Sequence, residues 1–200
     1  MIIERLSREH RNVEKLLVIL ERELSLFARG ERPDYEVIHG VIAYFQVYPD
    51  ACHHPLEDIV FERLKLRDRA AAARIGDLAA DHRRGAERLR RVAHAVEGVL
   101  DGREFLRQTV NDIIGDFIEQ ERRHMAMEER DFFPAAVKSL QPQDWAEIAA
   151  RLTDQTDPLL SDVVEEKFEV VRKHILQLEK EAEAERSAHI AAAPFQQSLS

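Results

Sequence analysis

The chain has 200 residues, with Lys+Arg 29 against Asp+Glu 38 and a net charge of −9. That length suits one domain with an appendage, and the acidic balance repels phosphate backbones, which excludes nucleic acid as a general partner. The single cysteine rules out a disulfide framework or cysteine-rich zinc site, no apolar run nears the ~20 residues that cross a bilayer, and MIIERLSREH lacks a signal peptide's apolar stretch, so a cytoplasmic location is expected.

Apolar residues recur at helical spacing almost throughout. A first helix is predicted over roughly 2–28, with the stripe Ile3, Leu6, His10, Val13, Leu17, Leu20, Leu24 and Phe27, stopping before Gly30. A second starts after Pro33-Asp34 and runs to about Arg67 through Ile38, Ile42, Phe45, Pro49, His53, Leu56, Val60 and Leu64. A third covers roughly 73–100 through Ile75, Leu78, His82, Gly85, Leu89, Val92, Val96 and Val99, until Asp101-Gly102 breaks it. A fourth spans about Arg103 to Lys138 through Val110, Ile113, Phe117, Glu121, His124, Glu128, Phe132 and Ala135. A short helix follows Gln141-Pro142 to about Leu152, Asp157-Pro158 opens a charged one to about Glu185, and 187–200 reads as a mobile tail. Short connections force neighbouring helices antiparallel. The expected fold is therefore all-α: an up-down-up-down four-helix bundle over 1–139, with two additional helices in a C-terminal extension at 140–186.

Four stripe positions carry histidine where leucine would otherwise pack. His10 and His82 stand near the starts of their helices, His53 and His124 toward the ends of theirs. In an antiparallel bundle these places adjoin, so four imidazoles meet at one level. A lone buried histidine is ordinarily a hydrogen-bonded core residue, but an apolar core does not offer partners for four. Glu57 and Glu128 follow His53 and His124 by four residues, which puts each pair on one helix face about 6 Å apart in rise. Four nitrogens and two carboxylates exceed a four-coordinate zinc site. They fill two octahedral sites only if the carboxylates bridge and water, oxide or substrate supplies the rest. The expected centre is dinuclear, with two histidines per metal, bridging glutamates and open positions, in a donor set suited to iron or manganese.

His54 and Asp58 form a competing pair. His53 aligns with Leu56, Val60 and Leu64, whereas His54 aligns with the rimward Phe61 and Lys65, so His53/Glu57 is preferred. Pro55 breaks helical rules beside this pair, as functional sites do. Glu36/His39 and Glu121/His124 fit the Glu-x-x-His spacing of ferritin-like carboxylate proteins. His39 lies 53 − 39 = 14 residues before His53, about 21 Å along a helix, and reads as a surface residue. Glu121 points inward and reads as an acceptor orienting an imidazole, or as a third carboxylate ligand, the former preferred; Glu14 and Asp81 are weaker candidates of the same kind. His94, His174 and His189 fall away from the histidine level, and Cys52, Tyr44 and Tyr48 read as packing.

His10, the HHPLED segment with Phe61, His82 within AADHRR, and HMAMEERDFFP at 124–134 resemble the hemerythrin-like, HHE cation-binding proteins over most of 1–138. The resemblance implies a four-helix bundle holding two iron ions, oxo- or hydroxo-bridged, in preference to manganese or zinc. Its metal ligands would be His10, His53, Glu57, His82, His124 and Glu128. Family members include oxygen carriers and sensors, and iron–sulfur repair proteins active under nitric oxide stress. The expected function is binding or sensing O2 or NO, as a monomer or homodimer without a membrane partner; the alternative is redox turnover of NO or peroxide, or cluster repair, at the same site. Two departures from the carriers stand out. Their second histidine on the third helix is here Ala86, preceded by Gly85, and their aspartate five residues past the last helix's histidine gives way to Glu128 four residues on. Small residues there leave one iron more open, and a lining of Phe45, Phe117, Leu56 and Met127 is expected to admit only small ligands.

Overall fold

The structure, a computed structural model, describes residues 2–103, 106–151, 171–177, 180, 181 and 184. Among these it is all-helical, with no strand, and no helix is long and apolar enough to cross a membrane. Helix α1 runs Ile2–Ala28 and buries Leu6, Val13, Leu16, Leu17 and Leu20. It stops at Gly30, whose φ of +79° is left-handed and suits glycine; there the Glu31 N–H returns to the Leu26 carbonyl at 3.0 Å. Asp34 caps α2 (Tyr35–Tyr48) by accepting from the Glu36 and Val37 N–H groups. Its own N–H donates to the buried Glu23 at 2.7 Å, which ties the turn to α1.

The predicted second, third and fourth helices are each interrupted. After α2 the chain widens into a π-helical turn, Pro49–His53, and continues as α3, His54–Arg67. A short α4 (Arg69–Ile75) precedes α5 (Leu78–Leu100), because Gly76 at φ +96° breaks the run and Asp77 caps the new start. Helix α6 (Arg107–Met127) passes through a second π-helical turn, Glu128–Phe132, into α7, Phe133–Ser139. Helix α8 (Pro142–Ala149) ends before the predicted Leu152; the buried Asp144 accepts from the Gln141 N–H at 2.8 Å and from Arg67 Nε at 2.8 Å. A helical stretch at 171–177 sets Val171 and Ile175 against the core. The rest of the predicted 158–185 helix is almost wholly outside the described residues, as is the 187–200 tail.

Helix α1 packs on α2 and α6, and α5 packs on α6 and α2. Two apolar clusters form within this ring. One joins Val13, Leu17, Val41, Tyr44, Val92 and Phe117. The other joins Leu6, Leu56, Leu64, Leu78, Phe132 and Ile148. Every helical path crosses from one cluster to the other through a polar residue: Glu9 and His10 on α1, His53 and Glu57 on α2–α3, His82 on α5, Glu128 on α6–α7. The polar layer thus lies between two hydrophobic ones, and the fold's stability rests on those flanks.

Leu17 is fully buried and lies away from the layer. Leu17→Ala is expected to lower unfolding free energy by about 2–5 kcal/mol in urea denaturation, and to leave metal content unchanged. Leu66→Ala, at a position 79% exposed, is expected to shift it by less than about 0.5 kcal/mol.

Candidate metal centre

The two π-helical turns share a local cause. The His54 N–H closes the first on the Pro49 carbonyl, and the Phe133 N–H closes the second on the Glu128 carbonyl. A proline comes next in both, Pro55 and Pro134. Proline has no N–H and crowds the carbonyl four residues back, so the α-helical ladder is broken there anyway. Wide turns of this kind recur at functional sites because they re-aim side chains. Here the first one lets two adjacent residues, His53 and His54, both reach the polar layer.

The layer has two halves. His10, His53 and Glu57 offer ligand atoms within 4.8 Å of one another, and so do His54, Glu57, His82 and His124. Glu57 stands between them. Its Oε1 lies 3.2 Å from His53 Nε2 and 3.6 Å from His10 Nε2, while its Oε2 lies 3.4 Å from His82 Nε2. Glu128 divides in the same way: Oε2 is 3.4 Å from His10 Nε2, and Oε1 is 3.2 Å from His124 Nε2 and 3.8 Å from His82 Nε2. Each carboxylate therefore turns one oxygen to each half.

The donor atoms are poorly satisfied by one another. Both oxygens of Glu57 and of Glu128, both ring nitrogens of His82 and Nε2 of His124 are buried without a hydrogen-bond partner. An unmet buried polar atom costs about 1–3 kcal/mol, and so many together call for a cation among them. Neighbouring ligands on one ion with ~2.1 Å bonds stand roughly 3 Å apart. The separations here match that spacing, and the imidazole–carboxylate set suits a first-row transition metal.

Outer carboxylates set the imidazoles. Glu9 Oε2 takes the His53 Nδ1 position at 2.8 Å, and its Oε1 accepts from Tyr48 and from Arg5, both at 2.8 Å. Glu129 Oε1 lies 2.9 Å from His10 Nδ1, with the Ser7 hydroxyl donating to its Oε2 at 3.0 Å. Such partners fix the tautomer, so that Nε2 keeps its lone pair for the centre. Phe133 stacks on His10 at 5.2 Å and His54 stacks on His82 at 4.0 Å between ring centroids.

Without metal the layer becomes an ion-pair network. Burial opposes charge on His10 and His82, but Glu128 and Glu57 outweigh it and push both pKa values up to about 9. Burial likewise opposes charge on His53, and Glu57 with Glu9 raises it all the same. Burial would lift the Glu57 carboxyl, yet His53, His10 and His82 hold it well below its usual range. Glu128 is also lowered, with His10, His124 and His82 prevailing over burial and the repulsion of Glu57.

All six residues singled out in the sequence converge on this layer. The placement of His54 is a correction: it does not face the rim but joins Glu57, His82 and His124, because the π-helical turn undoes the straight wheel. Its partner in the rival pair, Asp58, approaches His82 Nδ1 at 3.4 Å from the outside. Glu9 and Glu129 are new; the signal for them was an acid adjacent in sequence to a layer residue. His39 and His94 are exposed, and His174 is half-buried. His189 lies outside the described residues. Cys52 is half-buried against the first apolar cluster, Tyr44 is buried in it, and Tyr48 donates to Glu9. Glu14 pairs with Arg122, and Asp81 with Arg84.

A cavity of about 390 Å³ opens beside the three-imidazole half, lined by His54, His82, Gly85, Ala86, Glu121 and His124 among others. Phe45, Phe117 and Met127 line it as expected, but Leu56 belongs to the second apolar cluster instead. The cavity is also far larger than a diatomic molecule needs, since a water's share of liquid is about 30 Å³.

The model of the Hemerythrin HHE cation binding domain matches residues 1–136, and the chain belongs to that family. No curated protein and no solved structure matches it.

Three outcomes are expected. A pKa raised by folding stabilises below the unfolded value of ~6.5 and ceases to do so as pH climbs through about 9. Melting curves of chelator-treated protein should therefore show a falling Tm across that interval. Because His10 and His82 are charged at neutral pH without metal, metal uptake should release at least two protons per chain, read by calorimetry in buffers of different ionisation enthalpy. Uptake without proton release would contradict imidazole ligation. Deleting the exposed Ala51 should return the first π-helical turn to α-helical winding, withdraw one of the adjacent imidazoles and lower metal content with helicity retained.

Proposed function

We propose that this protein is an up-down-up-down bundle holding two iron ions, and that it binds or senses a small ligand, O2 or nitric oxide, at one of them. The observation that carries this reading is the pair of buried carboxylates, Glu57 and Glu128, whose four oxygens have no hydrogen-bond partner while each faces imidazoles on both sides. His10 and His53 would hold one ion, and His54, His82 and His124 the other, with both glutamates shared. Bound iron supplies open coordination positions and one-electron chemistry to a small ligand.

The protein's own residues do the rest. Glu9 and Glu129 hold His53 and His10 with Nε2 turned inward. Phe133 stacks on His10, and both His10 and His53 are buried, with a shallow surface pocket reaching His10 beside Ser7 and Glu129. The other half faces the cavity, where the small Gly85 and Ala86 leave space and Phe45, Phe117 and Met127 supply apolar wall. A ligand therefore approaches the three-imidazole half.

Protein purified without oxygen should contain two iron ions per chain. His82→Ala and His54→Ala should empty or halve that content, while His39→Ala and His94→Ala should not. Equal loss in all four would sink the assignment. Ferrous protein mixed with O2 should change its absorption reversibly on deoxygenation; rapid irreversible oxidation would instead favour turnover of nitric oxide or peroxide at the same site.

A further inference from the structure

Several polar residues line the cavity outside the metal layer, and one of them, Glu121, is an acid with no ion-pair partner among the described residues. Glu121 stands one turn before His124 on α6 and lines the cavity with it. Its carboxylate reaches across to α5: a Cβ added at Gly85 would lie 3.2 Å from Glu121 Oε1, so glycine leaves the carboxylate its place. Three arginines also line the cavity, but each has an acid of its own. Arg84 pairs with Asp81, Arg88 lies 3.4 Å from Asp116, and Arg123 pairs with Glu119. No described side chain hydrogen-bonds Glu121. Nor does it approach the imidazoles as the layer carboxylates do: Glu57 and Glu128 lie 3.2 to 3.8 Å from imidazole nitrogens, and among the described residues Glu121 makes no such pair. A metal ligand would sit among those atoms, and an acceptor orienting His124 would be bonded to it.

We propose that Glu121 is a specificity-determining residue that hydrogen-bonds a small acceptor ligand in the cavity, and is not a metal ligand. The proposal rests on the two-iron reading for the ligand's other attachment. In that bond the carboxyl is the donor and the ligand the acceptor. Burial pushes the Glu121 carboxyl up, and nearby Glu128 adds to this against His124 and Arg88, which favours the protonated form. A protonated carboxyl donates, whereas an ionised one would repel an anion and offer it nothing. The ligand class is a small molecule or anion with an exposed acceptor atom at the end away from the metal. A ligand lacking such an atom gains nothing from Glu121. The size of the cavity, beyond a diatomic, leaves room for the carboxyl and the ligand together.

Azide on the oxidised, iron-loaded protein is a direct probe, with iron per chain measured alongside its dissociation constant. Glu121→Leu keeps the bulk and removes the bond; it should leave iron content unchanged and weaken azide about tenfold. Glu121→Gln keeps an N–H donor and should bind azide within about threefold of the native protein. Loss of iron in both variants would make Glu121 a ligand and overturn the proposal. Azide affinity unchanged in Glu121→Leu, or tightened in both variants as loss of a repelling charge would do, would overturn it too. Native protein that takes up no iron would defeat the two-iron reading itself, and this proposal with it, which the iron measurement shows before any azide is added.

Discussion

Two carboxylates, Glu57 and Glu128, sit wholly buried between two apolar clusters. An ionised carboxylate in such a place costs several kcal/mol unless opposite charge reaches it. The rest of the layer follows from that cost. Five imidazoles crowd around the two carboxylates, and four of them come within 3.8 Å of a carboxylate oxygen. The metal-free protein meets the requirement with protons on histidine; bound metal would meet it by giving the inward lone pairs a cation. Folding and metal uptake are thereby linked through the same atoms.

The layer is imposed on a framework that would otherwise be regular. Both carboxylate-bearing paths give up α-helical winding beside the site, and in both the interruption comes just before a proline. The local backbone is less well bonded there than in a plain helix. The flanking apolar clusters hold it in place, with Leu6, Leu56 and Phe132 on one side and Val13, Tyr48 and Met125 on the other. Outer acids complete the support: Glu9 is fixed by Tyr48 and Arg5 before it fixes His53, and Glu129 is fixed by Ser7 before it fixes His10. An imidazole already held at one nitrogen loses little freedom when the other meets a metal.

The two halves of the layer differ in access. His10 and His53 are buried beside Phe133 and the outer acids, with only a shallow pocket at His10, whereas the half with His54, His82 and His124 borders a cavity walled by α5 and α6. The asymmetry originates in α5. Past His82 that helix presents Gly85 and Ala86, so nothing bulky fills the space, and Glu121 reaches in from α6. His54, from the opposite side, adds an imidazole to the half that α5 leaves short. The donor count is thus kept while the opening beside it is retained.

Much of this was legible in the residues alone. The 3.6-residue period marked every helix in the layer, and histidine in place of leucine at four stripe positions, with glutamate a turn after two of them, marked the six layer residues. Period and stripe depend only on contacts within a turn or two, which the chain itself dictates. The helix breaks at Gly76 and at the two π-helical turns were less legible, though Gly76, Pro55 and Pro134 were their signals. A wheel drawn at constant pitch put His54 on the rim; one wider turn brought it into the site. Only the packed structure decided that, and only it paired Glu9 with His53 across helices and left Glu121 facing an open space. Those outcomes depend on where a second helix stands relative to the first, and residues 44 or 119 positions apart in sequence carry no local sign of meeting.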